Sequence, residues 1–219
     1  FVSGAVATVT GIMISQYMGK EDDEKVDVSM SVNLLVMMAI ALLTTMACLL
    51  IPQMLTGIFT KDAAVIKTGT DYVRIVSLVY PLSGIASILA VQIRCNDHSE
   101  YPLYISAVAA IVNTALNFIL IFGHLGAPAL GVKGAAIASV ASQVVNLALM
   151  IRFYNKICKF RFCIKLSEVE LKQYITILFP IVFNEFMWTV GQNVNTFIYG
   201  HMGTDELAGM SLTGPVQGL

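Results

Sequence analysis

The sequence predicts an all-α, polytopic helical membrane protein, and three observations carry that expectation. Of its 219 residues, 57% are hydrophobic and only 12% are charged, about half the charge of an ordinary soluble domain. The charge is confined to short clusters, such as GKEDDEK at Gly19–Lys25 and RCNDHSE at Arg94–Glu100, with long apolar runs between them. Those runs have the ~20 apolar residues that a helix needs to cross the hydrocarbon. They are too long, and alternate too little, for the ~10-residue strands of a membrane β-barrel.

Breaks in the apolar pattern divide the chain into five complete spans and two partial ones. A partial span runs from Phe1 to about Met18 and ends at the charged cluster that follows. The next spans run from about Val28 to Leu55 and from about Val65 to Gln92, the second with a kink expected at Pro81–Gly84. Pro102 suits the first turn of a helix reaching Phe122, and GHLGAPALGVKG then reads as a Gly/Pro-rich turn. A further span covers Gly134 to Tyr154. The longest polar connection, Arg152–Lys172, carries Ser167-x-x-Glu170, a capping box opening the next helix. That helix contains PIVFNEFMWTVGQNVNTFIYG (Pro180–Gly200), and a loop at His201–Gly209 precedes a final apolar segment. The chain begins with Phe1 inside an apolar run and stops as another begins, so an internal piece of a longer chain is expected.

Loops alternate sides, which sorts the cations into two groups. Lys20, Lys25, Arg94, Arg152, Lys156, Lys159, Arg161, Lys165 and Lys172 fall on one side, and Lys61, Lys67, Arg74 and Lys133 on the other. The richer side is expected in the cytoplasm by the positive-inside rule. A net charge of −1 offers nothing for a nucleic-acid partner. Four scattered cysteines without nearby histidine read as free thiols rather than as disulfides or a zinc site. No P-loop, GxSxG or HExxH pattern is visible, so no enzyme is expected and any transport should be gradient-driven.

Inside a bilayer a polar group is costly without a partner, so polar residues within spans are informative. Glu185 is the sole charged residue between Lys172 and Asp205. At ~100° per residue, Thr189, Gln192, Thr196 and Tyr199 fall within ~40° of it, with Asn184, Trp188 and Asn195 on the flanks. Phe183, Phe186, Met187, Val190, Val194, Phe197 and Ile198 fill the opposite arc. A continuous polar stripe implies a wet cavity, where one salt bridge would need only one polar residue. Pro180 removes a backbone hydrogen bond five residues earlier and is the candidate hinge. Asn113 and Asn117 share a helix face, as interhelical hydrogen-bond partners or as cavity lining. Ser139, Gln143 and Asn146 mark one side of a helix whose small residues, GAAIASVAS, read as close packing. Asp71 and Arg74, three apart, read as a local ion pair, and His98, His124 and His201 as isolated loop residues.

The ordered set of segments resembles the multidrug and toxic compound extrusion (MATE) transporters over essentially the whole chain. ISQYMGKEDDEK is similar to the element ending that family's second helix, and LTGIFTKDAAVIKTGTDYVRI to the outer loop before its fourth. VNTALNFILIFGHLGAPALGVKGAAIASVASQ resembles its fifth and sixth helices, and FPIVFNEFMWTVGQNVNTFIYGHMGTDELAG its seventh. The resemblance implies a fragment of a twelve-helix, two-lobe bundle: residues 1–154 in the N-lobe without its first helix, 155–171 as inter-lobe linker and 172–219 opening the C-lobe. It implies a secondary antiporter in the plasma membrane, bacterial inner membrane by expectation, exporting organic or cationic compounds in exchange for H⁺ or Na⁺. A lipid-linked oligosaccharide flippase is the alternative, disfavoured because the spans offer almost no Arg or Lys for a pyrophosphate. Glu185 resembles the family's seventh-helix acid implicated in cation coupling, and a Na⁺ there is the one metal the resemblance admits; no organic cofactor is expected. Asn113 and Asn117 match an Asn-x-x-x-Asp pattern with Asn117 in place of the acid, and Ser139 corresponds to a nearby sixth-helix hydroxyl. The expected partners are small organic substrates and the bilayer, with the protein a monomer.

Overall fold

The computed structural model describes residues 2–57, 63–124, 128–158, 161–163 and 168–202, with side chains at all of these except 64, 168–170, 193 and 195–202. Among them the chain forms α1 (Val2–Met18), α2 (Asp23–Leu50), α3 (Pro52–Gly57), α4 (Ala63–Val76), α5 (Val79–Cys95), α6 (Glu100–Phe122), α7 (Val132–Ile157) and α8 (Glu168–Met202), and no strand. Five stretches are long and apolar enough to cross a membrane: Asp23–Leu50, Val65–Cys95, Glu100–Phe122, Val132–Ile157 and Leu171–Gln192. The chain is therefore a multi-pass helical membrane protein. Large apolar side chains such as Leu103 (68% exposed) and Ile111 (70%) face outward from α6, where hydrocarbon takes the place of water. The Ser167 capping residue, residues 203–209 of the expected loop and the final apolar segment lie outside the described residues, whereas His201 and Met202, expected in that loop, continue α8.

Helix ends follow local chemistry. Helix α2 begins at Asp23, five residues before the expected Val28, because Asp22 caps it by accepting the Lys25 N–H at 3.2 Å. Asp23 and Glu24 in its first turn face the positive end of the helix dipole. It ends at Leu50 instead of Leu55, since Pro52 has no N–H to continue it and instead opens the short α3. Pro102 lies in the first turn of α6, and Gly123 ends that helix in the left-handed region, φ 73°, donating to the Ile119 carbonyl.

The chain divides into two compact units, Val6–Ser167 and Phe1–Ala5 with Glu168–Leu219. In the first, α7 is central: α6, α5 and α4 all pack on it, and α2 packs on α5. The α6–α7 approach is close because Gly134 has no side chain; a Cβ there would lie 2.5 Å from the Leu120 carbonyl oxygen. This fits the small-residue reading of Gly134–Ser142. Gly84 similarly admits Met37 between α2 and α5.

The long span Val65–Cys95 is broken, but at Ser77–Leu78 rather than at Pro81–Gly84. Proline acts four residues upstream of itself. Pro81 has no N–H for the Ser77 carbonyl, which accepts the Tyr80 N–H at 3.3 Å instead. The hydroxyl of Thr45 on α2 donates to it at 3.0 Å, with Thr45 and Ser77 both buried. The Ser77 hydroxyl in turn donates to the Arg74 carbonyl.

The second unit holds α8, which is continuous through Pro180. The missing N–H of Pro180 deprives the Thr176 carbonyl of its helical donor. Thr176 turns its hydroxyl the other way, onto the Lys172 carbonyl at 2.8 Å.

Candidate functional site

Two polar groups within membrane-spanning helices are candidates, one in each unit. On α8, Glu185, Thr189 and Gln192 are half-buried, whereas Phe183, Phe186, Met187, Val190 and Val194 on the opposite arc are exposed. Over these eight residues the division read from the helical period matches the burial of the side chains. Thr189 donates its hydroxyl to the Glu185 carbonyl at 2.8 Å. A carboxylate, a hydroxyl oxygen and an amide on one stripe form an oxygen-rich surface suited to a proton or a cation. Asn184 and Trp188 on the flank are exposed, Trp188 at 64%. Asn195, Thr196 and Tyr199 continue α8, with their side chains outside the described residues.

On α6 and α7 the structure joins the two asparagines to serine. Asn117 Nδ2 donates to Asn113 Oδ1 at 2.9 Å, and Asn113 Nδ2 donates to Ser142 Oγ at 3.2 Å. Ser142 then donates to the Ser139 carbonyl at 2.9 Å. Ser139 enters by its backbone; its hydroxyl bonds the Ala135 carbonyl at 3.0 Å. Gln143 sits beside this chain, accepting from Asn146 Nδ2 at 3.4 Å. The interhelical partner of Asn113 is therefore Ser142, one turn beyond Ser139. The Ser139-x-x-Ser142 spacing, which puts both hydroxyls on one face, was the available signal. Asn117 Oδ1 and Asn146 Oδ1 are buried acceptors with no donor among the described residues, an arrangement that needs an explanation in a membrane interior. Every member of the chain is neutral, so it can bind or orient a ligand but cannot itself release a proton.

Elsewhere the charged residues pair differently from expectation. Asp71 meets Lys133 at the start of α7, 2.9 Å away, instead of Arg74. Residues three apart on a helix share a face, but packing of α4 on α7 brings a closer cation from another element. His98 lies 3.3 Å from Glu100, and His124 stacks on Phe118 with ring centroids 4.3 Å apart. All four cysteines are free thiols. One buried pair has no counterpart in the sequence reading: Tyr154 on α7 donates its hydroxyl to Gln92 Oε1 on α5 at 2.5 Å.

Membrane-length helices bearing a carboxylate stripe and a buried amide chain define a multi-pass membrane protein with polar sites at helical depth. The MatE family model matches residues 1–119, more than half of the chain, and the chain belongs to that family. It is 26% identical over 215 residues to the uncharacterized transporter YisQ of Bacillus subtilis, covering 92% of this chain and 45% of that protein. It is 27% identical over 144 residues to the probable multidrug resistance protein NorM of Rhizobium meliloti, covering 66% of this chain and 31% of that one. Its fold matches the Vibrio cholerae MATE transporter VcmN in the bent form with a TM-score of 0.80 at 18% identity, covering 98% of this chain and 49% of the other. The chain thus spans less than half the length of these relatives.

Proposed function

We propose that this chain is part of a secondary active antiporter that exports organic, cationic compounds in exchange for H⁺ or Na⁺. The observation that carries the proposal is the α8 stripe: an acid within a span is functional by default, and Glu185 heads a face of oxygen and amide groups opposite an apolar arc. Family membership and the names of the relatives support export as the activity. In this reading residues 1–154 are N-lobe helices, 155–171 the inter-lobe linker and 172–219 the start of the C-lobe. Repeated helical lobes around a midplane site are a general plan for secondary transporters. Glu185 holds the coupling ion in one half of the cycle and is free to meet a cationic substrate in the other. The Arg- and Lys-rich loops face the cytoplasm, and the protein sits as a monomer in the plasma membrane.

The test is efflux of a fluorescent organic cation from liposomes carrying the full-length protein, with a proton or a sodium gradient imposed separately. One gradient should drive efflux in the wild type and neither in Glu185→Gln. Undiminished ion-driven efflux in the variant removes Glu185 from the mechanism. Absence of cation efflux together with binding of a polyprenyl-linked sugar replaces the antiporter with a flippase.

A further inference from the structure

The two halves of the Val65–Cys95 span are held unequally. Helix α5 has eight buried residues between Gly84 and Ile93, whereas Thr70 is the only buried side chain described on α4. Between the halves the helical ladder tightens. The Leu78 N–H bonds the Ile75 carbonyl and the Tyr80 N–H the Ser77 carbonyl, each three residues back at 3.3 Å. A mid-helix stretch of such three-residue bonds often marks a hinge, and Pro81 keeps the ordinary four-residue bond to Ser77 from forming. Leu78 and Tyr80 are 49% and 40% exposed, so side chains at the bend are not locked by packing.

Clefts flank α4 on both sides. One of about 540 Å³ lies toward the start of α7 and is lined by Val65, Gly69, Tyr72, Val73 and Val132. The other, about 320 Å³, lies toward α3, between Gln53 and the face of α4 that carries Lys67, Asp71 and Arg74. Helix α4 meets its neighbours across them through polar side chains. Asp71 lies 2.9 Å from Lys133 on α7, and the Thr70 and Thr56 hydroxyls of α4 and α3 are 3.4 Å apart. An element with few buried apolar side chains opens more readily than the fold around it. The Lys133 and Asp71 side chains are 54% and 32% exposed, so their ion pair is weak, yet it acts on a segment that burial holds lightly.

We propose that α4 is a hinged flap on the Val6–Ser167 unit, turning about Ser77–Leu78 and held against α7 by the Asp71–Lys133 latch. Release lifts α4 from α3 and α7 and opens both clefts, at the end of the bundle opposite the Lys20 and Arg94 loops. Pro81 builds the hinge, and the Thr45 hydroxyl gives the Ser77 carbonyl a second donor from a helix that stays in place. The flap belongs to this unit alone and does not depend on Glu185 or on a coupling ion.

The experiment uses the full-length protein in nanodiscs with Thr70→Cys as the sole thiol, read by its rate of maleimide labelling. Thr70 is 5% exposed, so a thiol there is reached when α4 lifts, and the rate follows the open fraction. Lys133→Gln and Asp71→Asn should each speed labelling roughly twofold to fivefold, the range for an exposed ion pair, while Lys133→Arg should keep the original rate. Salt at about 1 M should speed labelling when the latch is intact and have no effect in Lys133→Gln. Pro81→Ala gives the Ser77 carbonyl a helical donor and should slow labelling roughly twofold to tenfold. The native Cys158, buried at the other end of the unit, reads general loosening when it is the sole thiol, and its rate should not change in these variants. Three results each overturn the flap: a Thr70→Cys rate unmoved by both Lys133→Gln and Asp71→Asn, an equal rise at Cys158, or labelling no slower in Pro81→Ala.

Discussion

Gly134→Ala tests the packing on which the α6–α7 amide chain depends. A Cβ at Gly134 would lie 2.5 Å from the Leu120 carbonyl oxygen, 2.7 Å from its carbon and 3.1 Å from the Leu120 Cβ. The obstacle is backbone, which cannot rotate aside as a side chain does. The Leu120 carbonyl is also held by the Leu130 N–H at 2.9 Å, so moving it sacrifices a hydrogen bond as well. Relief therefore requires α6 and α7 to separate, and overpacking of this kind costs ~1–3 kcal/mol. In a unit of this size that lowers the unfolding midpoint by roughly 2–10 °C. The control is Gly11→Ala on α1, whose new methyl would sit 3.5 Å from Val91, an ordinary contact. Alanine is the better helix former by ~1 kcal/mol, so that midpoint should hold or rise. A thiol-reactive fluorogenic dye reads unfolding in detergent directly, because Cys48 and Cys158 are free and buried until the fold opens. Apparent midpoints at one scan rate are compared, since such unfolding is generally irreversible. A Gly134→Ala midpoint matching the wild type would refute the claim that glycine sets this helix approach.

Two further outcomes follow from single interactions. Thr45→Val should cost ~0.5–1.5 kcal/mol by removing the hydroxyl that donates to the Ser77 carbonyl and leaving it only the longer Tyr80 N–H bond; adding Pro81→Ala restores a helical N–H, so the double variant should lose less than Thr45→Val does, and additive losses in the thermal assay would contradict the proline account. Burial pushes the Cys158 thiol up to about 11, with the neighbouring Cys95 adding to the effect. As a sole cysteine its maleimide labelling should be slow at pH 7 and rise about tenfold per pH unit toward that value, and a flat profile by mass spectrometry would contradict it.

Much of this protein is legible residue by residue. Segregation of charge from apolar runs sets the spans, because a bilayer admits only helices whose backbone bonds are internal. The 100° period separates the half-buried Glu185, Thr189 and Gln192 from the exposed Phe183, Phe186, Met187, Val190 and Val194, since that pattern lies within one helix and needs no neighbour. Where a second element intervenes, the sequence alone misplaces the detail. Its proline marks a break in the Val65–Gln92 span, yet the break falls at Ser77–Leu78, where Thr45 of another helix donates to the Ser77 carbonyl. Asp71 has Arg74 on its own face but pairs with Lys133, which packing of α4 on α7 brings to 2.9 Å. Ser139 and Ser142 are equivalent by composition, and only the approach of α6 to α7 at Gly134 selects Ser142 for Asn113. The clefts flanking α4 are likewise products of tertiary structure, formed where it meets α7 and α3. Periodicity and solvent preference are local and repeat along the chain, whereas partners are chosen by which surfaces fit, and that choice is made only when the helices pack.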